Sequence, residues 1–230
     1  LYPTLIRTFH IDPYSFIRAP DHPLETPADI SFSRSEHILP SYLGELMERR
    51  EKAKSEGDVP LAQAIKILMN SMYGVMGSPG CRFYRAELPT AITGIGRWVL
   101  ETTSTQLKEW GYQVLYGDTD SVFVKLKTDE RTDPDAAGRR LAARVDAHFR
   151  DLIRGRYGVP SRLEMEYEKR YVRLFLPSMR YGTEAAVKRY AGLLPGGERE
   201  IKGMEFVRSD STMLDREFQH ELFRRSFAGE

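Results

Sequence analysis

Apolar positions along the chain fall into two periodicities. Ile38, Tyr42, Leu43 and Leu46 recur at three- and four-residue spacing, which predicts a helix from Ser35 and Glu36 to about Glu56. Gly57 stops it, Asp58 caps the next helix, and Pro60 lies close to that helix's first turn. Leu61, Ile65, Leu68, Met69 and Met72 carry the helical period on to Tyr73. So short a connection predicts an antiparallel helical hairpin. Gly74, Gly77, Pro79 and Gly80 then break the chain. Leu88, Ile92, Ile95, Val99 and Thr103 mark a long helix ending near Trp110 and Gly111. Thr132 or Asp133 caps another, with Leu141, Val145, Phe149 and Leu152 on one face and an end at Gly155 or Gly158. From about Thr212 the chain is helical again.

The second periodicity is that of strands. From Arg162 to Glu168 residues alternate strictly, with Leu163, Met165 and Tyr167 on one face and Glu164, Glu166 and Glu168 on the other. This predicts a half-buried strand with an acidic outer row. Further strand-like sequence lies at Tyr171–Leu176 and Lys188–Leu194. Two apolar, β-rich runs, Gly111–Leu115 and Val122–Leu126, flank a Gly-Asp-Thr-Asp tip and predict a tight hairpin. Leu1–Ile6 reads as the middle of an element, and residues 12–34, with Pro13, Pro20, Pro23 and Pro27, as an irregular connection. Helices inserted among strands and hairpins argue an α+β fold with an antiparallel sheet.

Composition narrows the class only slightly. The chain has 230 residues, 41% hydrophobic and 29% charged, ordinary for a globular protein and enough for one large or two small domains. No run reaches the length of a membrane span, and the N-terminus has no signal-peptide pattern. The single Cys81 excludes an intrachain disulfide. A net charge of +1 means that any polyanion site must come from local clustering. The first residue is Leu rather than Met, which reads as a piece of a longer chain.

The hairpin tip is the sharpest candidate for chemistry. Asp118 and Asp120 are two apart, so on an extended tip both carboxylates leave the same side of the ribbon. Like charges so close favour an intervening cation, and hard Mg²⁺ takes such oxygens while keeping waters and phosphates as other ligands. The same residues also suit an ordinary polar turn. A second candidate is cationic: Arg49, Arg50, Lys52 and Lys54 cluster at the end of the first predicted helix. Lys66, Asn70 and Tyr73 form a stripe on the second, and a folded hairpin lets the two surfaces converge on phosphates. The competing reading is a solvated face with pairs such as Glu45–Arg49 and Glu48–Lys52. Lys188-Arg189-Tyr190, Lys202-Gly203 and Arg208 form a third group, suited to a nucleic-acid backbone or to guarding a strand edge. The histidines show no metal-ligand spacing with Cys81, and there is no nucleophile elbow or Gly-rich phosphate loop.

Together these pieces resemble the family B DNA polymerases, and within them the bacterial DNA polymerase II branch. Leu1-Tyr2-Pro3-Thr4-Leu5-Ile6 resembles the later part of the first motif, D-x-x-S-L-Y-P-S-I-I, with Thr4 in place of Ser. Lys66–Gly74 matches the second motif, K-x-x-x-N-S-x-Y-G, throughout, and Tyr116–Ser121 matches the third, Y-G-D-T-D-S, unchanged. Lys188-Arg189-Tyr190 resembles K-K-R-Y, with Val187 where its first Lys is expected. Lys202-Gly203-Met204-Glu205 with Arg208 and Asp210 is similar to the family's next segment, K-G-x-E-x-x-R-x-D. The matches run in the family's order.

The resemblance implies a ferredoxin-like antiparallel palm sheet backed by helices, interrupted by a fingers insertion. Residues 1–34 would be the first part of the palm, 35–74 the fingers, 75–211 the rest of the palm, and 212–230 the start of the thumb. It implies template-directed addition of deoxynucleotides to a primer 3′ end with two Mg²⁺ ions. Asp120 would be the main metal carboxylate and Asp118 an acidic neighbour, with Glu166 and Glu168 near the metals. Arg50, Lys54, Lys66 and Asn70 would bind the deoxynucleoside triphosphate. Tyr2 would lie under the sugar, excluding a ribose 2′-hydroxyl, and Tyr73 and Gly74 would pack against the nascent base pair. Lys188, Arg189, Tyr190, Lys202 and Arg208 would touch primer–template DNA. A sliding clamp reached through other regions is a further implied partner, and a bacterial, nucleoid-associated cytoplasmic setting the implied location; no membrane is involved.

One departure stands out. The family's first motif begins with a metal-binding Asp four positions before the place of Leu1, on a strand that lies beside the hairpin. Neither is in this chain, nor is the proofreading exonuclease region, so these residues alone are expected not to polymerise at a useful rate. The alternative is a polymerase-like module that binds DNA or a partner without chemistry. The intact Asp118, Asp120, Arg50, Lys54, Lys66 and Asn70 speak against it. A reverse transcriptase or nucleotidyl cyclase would share the acidic hairpin but not the Lys66–Gly74 helix.

Overall fold

The computed structural model describes residues 1–127, 129–177, 188–204 and 212–228. Leu1 is the N-cap of α1 (Tyr2–Phe9), so Leu1–Ile6 is the start of a helix rather than the middle of an element, with Pro3 in its first turn; the helix buries Leu5, Ile6 and Phe9. One buried carboxylate then begins two helices. Asp12 Oδ1 accepts the Ser15 N–H at 2.6 Å and caps α2 (Pro13–Arg18). Its Oδ2 accepts the N–H groups of Ile38 at 2.6 Å and Leu39 at 3.1 Å, at the start of α3 (Leu39–Ser55). This moves the helix start from the expected Ser35–Glu36 to Leu39, because the cap comes from a residue remote in sequence. Residues 12–34 are also more ordered than their prolines suggest, since β1 (Pro23–Leu24) and β2 (Phe32–Ser33) pair antiparallel.

α4 (Val59–Gly77), capped by Asp58, packs on α3 as the expected helical hairpin. It continues through Gly74, where the sequence suggests a break, for another turn that buries Met76; Ser78 before Pro79 then leaves the helical region. α5 (Glu87–Glu109) buries Leu88, Ile92, Ile95, Val99 and Thr103, the face its spacing predicts. α6 (Pro134–Tyr157) starts at Asp133 and ends at left-handed Gly158, φ 68°. Trp98 joins α1, α5 and α6, with Phe9, Phe149 and Tyr157 presenting ring edges at 6.4, 5.8 and 6.0 Å.

Strand pairing is antiparallel but divided. β3 (Gln113–Asp118) pairs with β4 (Ser121–Lys125); β5 (Arg173–Phe175), β6 (Tyr190–Leu193) and β7 (Arg199–Lys202) form a separate sheet in that order. The strand expected at 162–168 does not form a ladder among the described residues. Its alternation persists in burial, with Leu163, Met165 and Tyr167 half-buried and Glu164, Glu166 and Glu168 exposed. Its backbone is satisfied by side chains instead: Thr8 Oγ1 accepts the Arg162 N–H at 2.9 Å and Asp146 Oδ1 the Met165 N–H at 2.7 Å. A cleft of about 920 Å³ separates this segment from β4. α7 (Met213–Ala228) covers the second sheet with Phe223 and Phe227, which pack with Ala191 of β6.

Candidate active site

The hairpin tip is tighter than an extended ribbon. Asp118 closes β3 opposite Ser121, while Thr119 and Asp120 form the turn, Thr119 at φ 48°. Asp120 N–H is donated to the Asp118 carbonyl. The period-two condition for both carboxylates sharing one side is therefore not met, and the two differ in surroundings. Asp118 is half-buried and its Oδ1 accepts the Thr119 hydroxyl at 2.9 Å. Asp120 is exposed, and its carboxylate makes no hydrogen bond or ion pair among the described residues. α5 backs the hairpin closely: a Cβ on Gly117 would lie 3.3 Å from Leu100 Cδ1.

Helices from two other regions meet this tip. The rings of Tyr2 on α1 and Tyr73 on α4 lie 4.7 Å apart at 35°. Burial raises the pKa of the Tyr2 hydroxyl, and the nearby Tyr73 and the negative charge of Asp120 raise it further. Tyr2, Tyr73 and Asp120 thus share one neighbourhood. From Tyr73 the stripe Asn70 and Lys66 runs back along α4, about 10 Å over seven residues, with Lys66 and Asn70 exposed. Gly74 lies beside it in open space.

The basic end of α3 is partly self-compensated. Lys54 Nζ donates to Glu51 at 2.6 Å, and Arg50 Nη1 lies 3.8 Å from the same carboxylate, whose pKa the Lys54 hydrogen bond lowers. Lys52 pairs with Glu56 at 3.8 Å, whereas Glu45–Arg49 and Glu48–Lys52 do not pair among the described residues. Arg50 is half-buried, with a buried Nε that has no partner.

On the other side of the tip, Asp120, Glu166 and Glu168 line the same cleft, joined by Lys169, Tyr190 and Lys202. Lys188 and Arg189 are exposed. Tyr190 is 7% exposed, so its ring is an anchor: it packs 5.1 Å from Phe123 and 6.0 Å from Tyr171. Arg208 lies outside the described residues. No motif announces the polar hub at Glu200, which accepts from Lys169 and Tyr171 at 2.8 Å and pairs with Lys202 at 3.1 Å. Burial opposes its charge, but these donors outweigh that and bring the carboxyl down to about 2. Among the described residues no three His, Cys, Asp or Glu side chains group to hold a metal, and no helix is long and apolar enough to cross a membrane. Lone carboxylates of this kind suit a hard divalent ion that takes its remaining ligands from water and phosphate.

An acidic hairpin tip lies near a pair of tyrosine rings, one of them on a helical hairpin whose exposed cations suit phosphate groups. The model of DNA polymerase family B matches residues 23–229, and the chain belongs to that family. It is 40% identical to DNA polymerase II of Escherichia coli over 100% of its own length and 30% of that protein's. It is 30% identical to the DNA polymerase of Thermococcus gorgonarius, covering 95% of this chain and 28% of the relative. Among solved structures it is similar to the family B DNA polymerase of Pyrobaculum calidifontis, with a TM-score of 0.57 and 27% identity over 89% of this chain and 26% of the other. The chain thus spans under a third of the length of these relatives.

Proposed function

We propose that the protein carrying this chain performs template-directed DNA synthesis, transferring deoxynucleotides from their triphosphates to a primer 3′ end. The observation that supports this best is the nearness of Asp120 to Tyr2, whose ring packs on Tyr73 at the end of the Lys66–Asn70 stripe. On α4 the exposed Lys66 and the Asn70 amide suit the triphosphate as donors, with Arg50 and Lys54 reinforcing them from α3. A triphosphate competes with Glu51 for Lys54, so binding releases one internal ion pair. The Tyr2 ring supports the sugar and leaves no room for a 2′-hydroxyl; Tyr73 and Gly74 face the nascent base pair. Lys188, Arg189, Lys202 and Arg208 meet the primer–template backbone.

Asp120, with an exposed carboxylate unpaired among the described residues, would hold Mg²⁺; Asp118, already engaged by Thr119, would support it, and Glu166 and Glu168 lie along the cleft wall. When bound, two Mg²⁺ ions supply Lewis acidity for the primer hydroxyl and neutralise the triphosphate. In the finer fold reading, 162–168 and the β3–β4 hairpin belong to one ferredoxin-like palm and face each other across the cleft. Residues 35–74 are then the fingers, 1–34 and 75–211 the palm, and 212–230 the start of the thumb.

The test is primer extension by the full-length protein with each deoxynucleotide singly. Extension only by the nucleotide complementary to the template supports the reading. Tight primer–template binding with no extension would favour a DNA-binding module without chemistry.

A further inference from the structure

β3 carries a bulge. Val114 pairs with Val124 but Tyr116 with Phe123, leaving Leu115 as the extra residue. An extra residue inverts the side-chain phase of the rest of the strand, so it decides the face on which Tyr116 and Asp118, two apart, both project. Tyr116 is 9% exposed, its ring 5.4 Å from Phe123 and 6.4 Å from Tyr190. Its hydroxyl oxygen accepts the backbone N–H of Lys188 at 2.6 Å.

Lys188 needs such a restraint. Its φ of 60° lies in the left-handed region, which is uncommon and strained for a residue with a side chain. Gly203, itself left-handed at φ 63°, closes the other side, where a Cβ would overlap the Lys188 carbonyl. The peptide of Lys188 is thus fixed through its N–H by Tyr116 and crowded at its carbonyl by Gly203. The side chains it presents, Lys188 and Arg189, are exposed. Packing alone does not require the Tyr116 hydroxyl, because a phenylalanine ring fills the same space; the N–H of Lys188 does.

We propose that Tyr116 is a positioning residue: its hydroxyl sets Lys188 and Arg189 at a fixed offset from the acidic tip of its own strand, so that both meet primer–template phosphates in register with Asp120. This rests on the DNA-synthesis reading above.

The test measures binding of a labelled primer–template to the full-length protein across a range of KCl concentrations. Tyr116→Phe is expected to weaken affinity about three- to tenfold, as loss of one positioning hydrogen bond allows. It should also make the salt dependence shallower by about one phosphate contact. In a Lys188→Ala/Arg189→Ala background the same substitution should cost nothing further, because its effect runs through those cations. An unchanged salt slope for Tyr116→Phe, or an undiminished loss in the double-alanine background, would reduce Tyr116 to a packing residue and overturn the proposal. If the wild-type protein fails to bind primer–template at all, the DNA-synthesis reading falls, and this inference with it. Wild-type binding with an unaltered Tyr116→Phe variant overturns this inference alone.

Discussion

The rings of Tyr2 and Tyr73, seventy-one positions apart, lie 4.7 Å apart at 35°, and the Tyr2 hydroxyl feels the charge of Asp120. The pair joins α1 to α4, and on the proposed function a sugar and a base would enter beside it. A smaller side chain at Tyr2 opens that space from below. In the full-length protein, Tyr2→Ala should admit ribonucleoside triphosphates, raising ribonucleotide use relative to deoxynucleotides by at least about tenfold, the scale of one lost steric contact. Competition assays with both sugars measure it. Unchanged sugar selection would remove Tyr2 from this role.

Asp12 joins regions that sequence separation would keep apart. Its carboxylate accepts three backbone N–H groups, from Ser15, Ile38 and Leu39, while 1% exposed. Asp12→Ala removes the acceptor of all three donors, the Ser15 N–H being buried, and should cost about 2–4 kcal/mol. Urea denaturation measures the loss, and a cost near zero would show that water replaces the carboxylate.

His10 makes stability depend on pH. Burial lowers its pKa below the ordinary 6.5, and the neighbouring His37, at 4.2 Å between rings, lowers it further. The folded state therefore prefers the neutral ring. The stability this provides is present above about pH 6.5 and is lost as pH falls through the lower folded-state value. His10→Asn, which tolerates the left-handed backbone at φ 54°, should flatten that limb of the curve. Denaturant midpoints at neutral and mildly acidic pH test the sign.

The helices are largely legible in the sequence because each buries one stripe. α5 and α6 follow their apolar spacing, and Asp58 and Asp133 cap where a capping residue stands locally. The start of α3 is not legible, since its cap, Asp12, lies twenty-six residues before Ile38. The alternation at 162–168 reports a facing pattern but not a strand, because Thr8 and Asp146 take N–H groups that a ladder would have used. Of the site, Asp120, Lys66 and Tyr73 can be named from their motifs. The Glu200 hub cannot, for its donors Lys169 and Tyr171 come from another stretch with no shared pattern.

The most direct test of the central claim is single-turnover nucleotide incorporation by the full-length protein and its Asp120→Asn variant. Removing the free carboxylate at the tip should lower the rate at least about a thousandfold, while primer–template affinity changes little. An Asp120→Asn variant that incorporates nucleotides at the wild-type rate would contradict the assignment of the hairpin as the reacting centre.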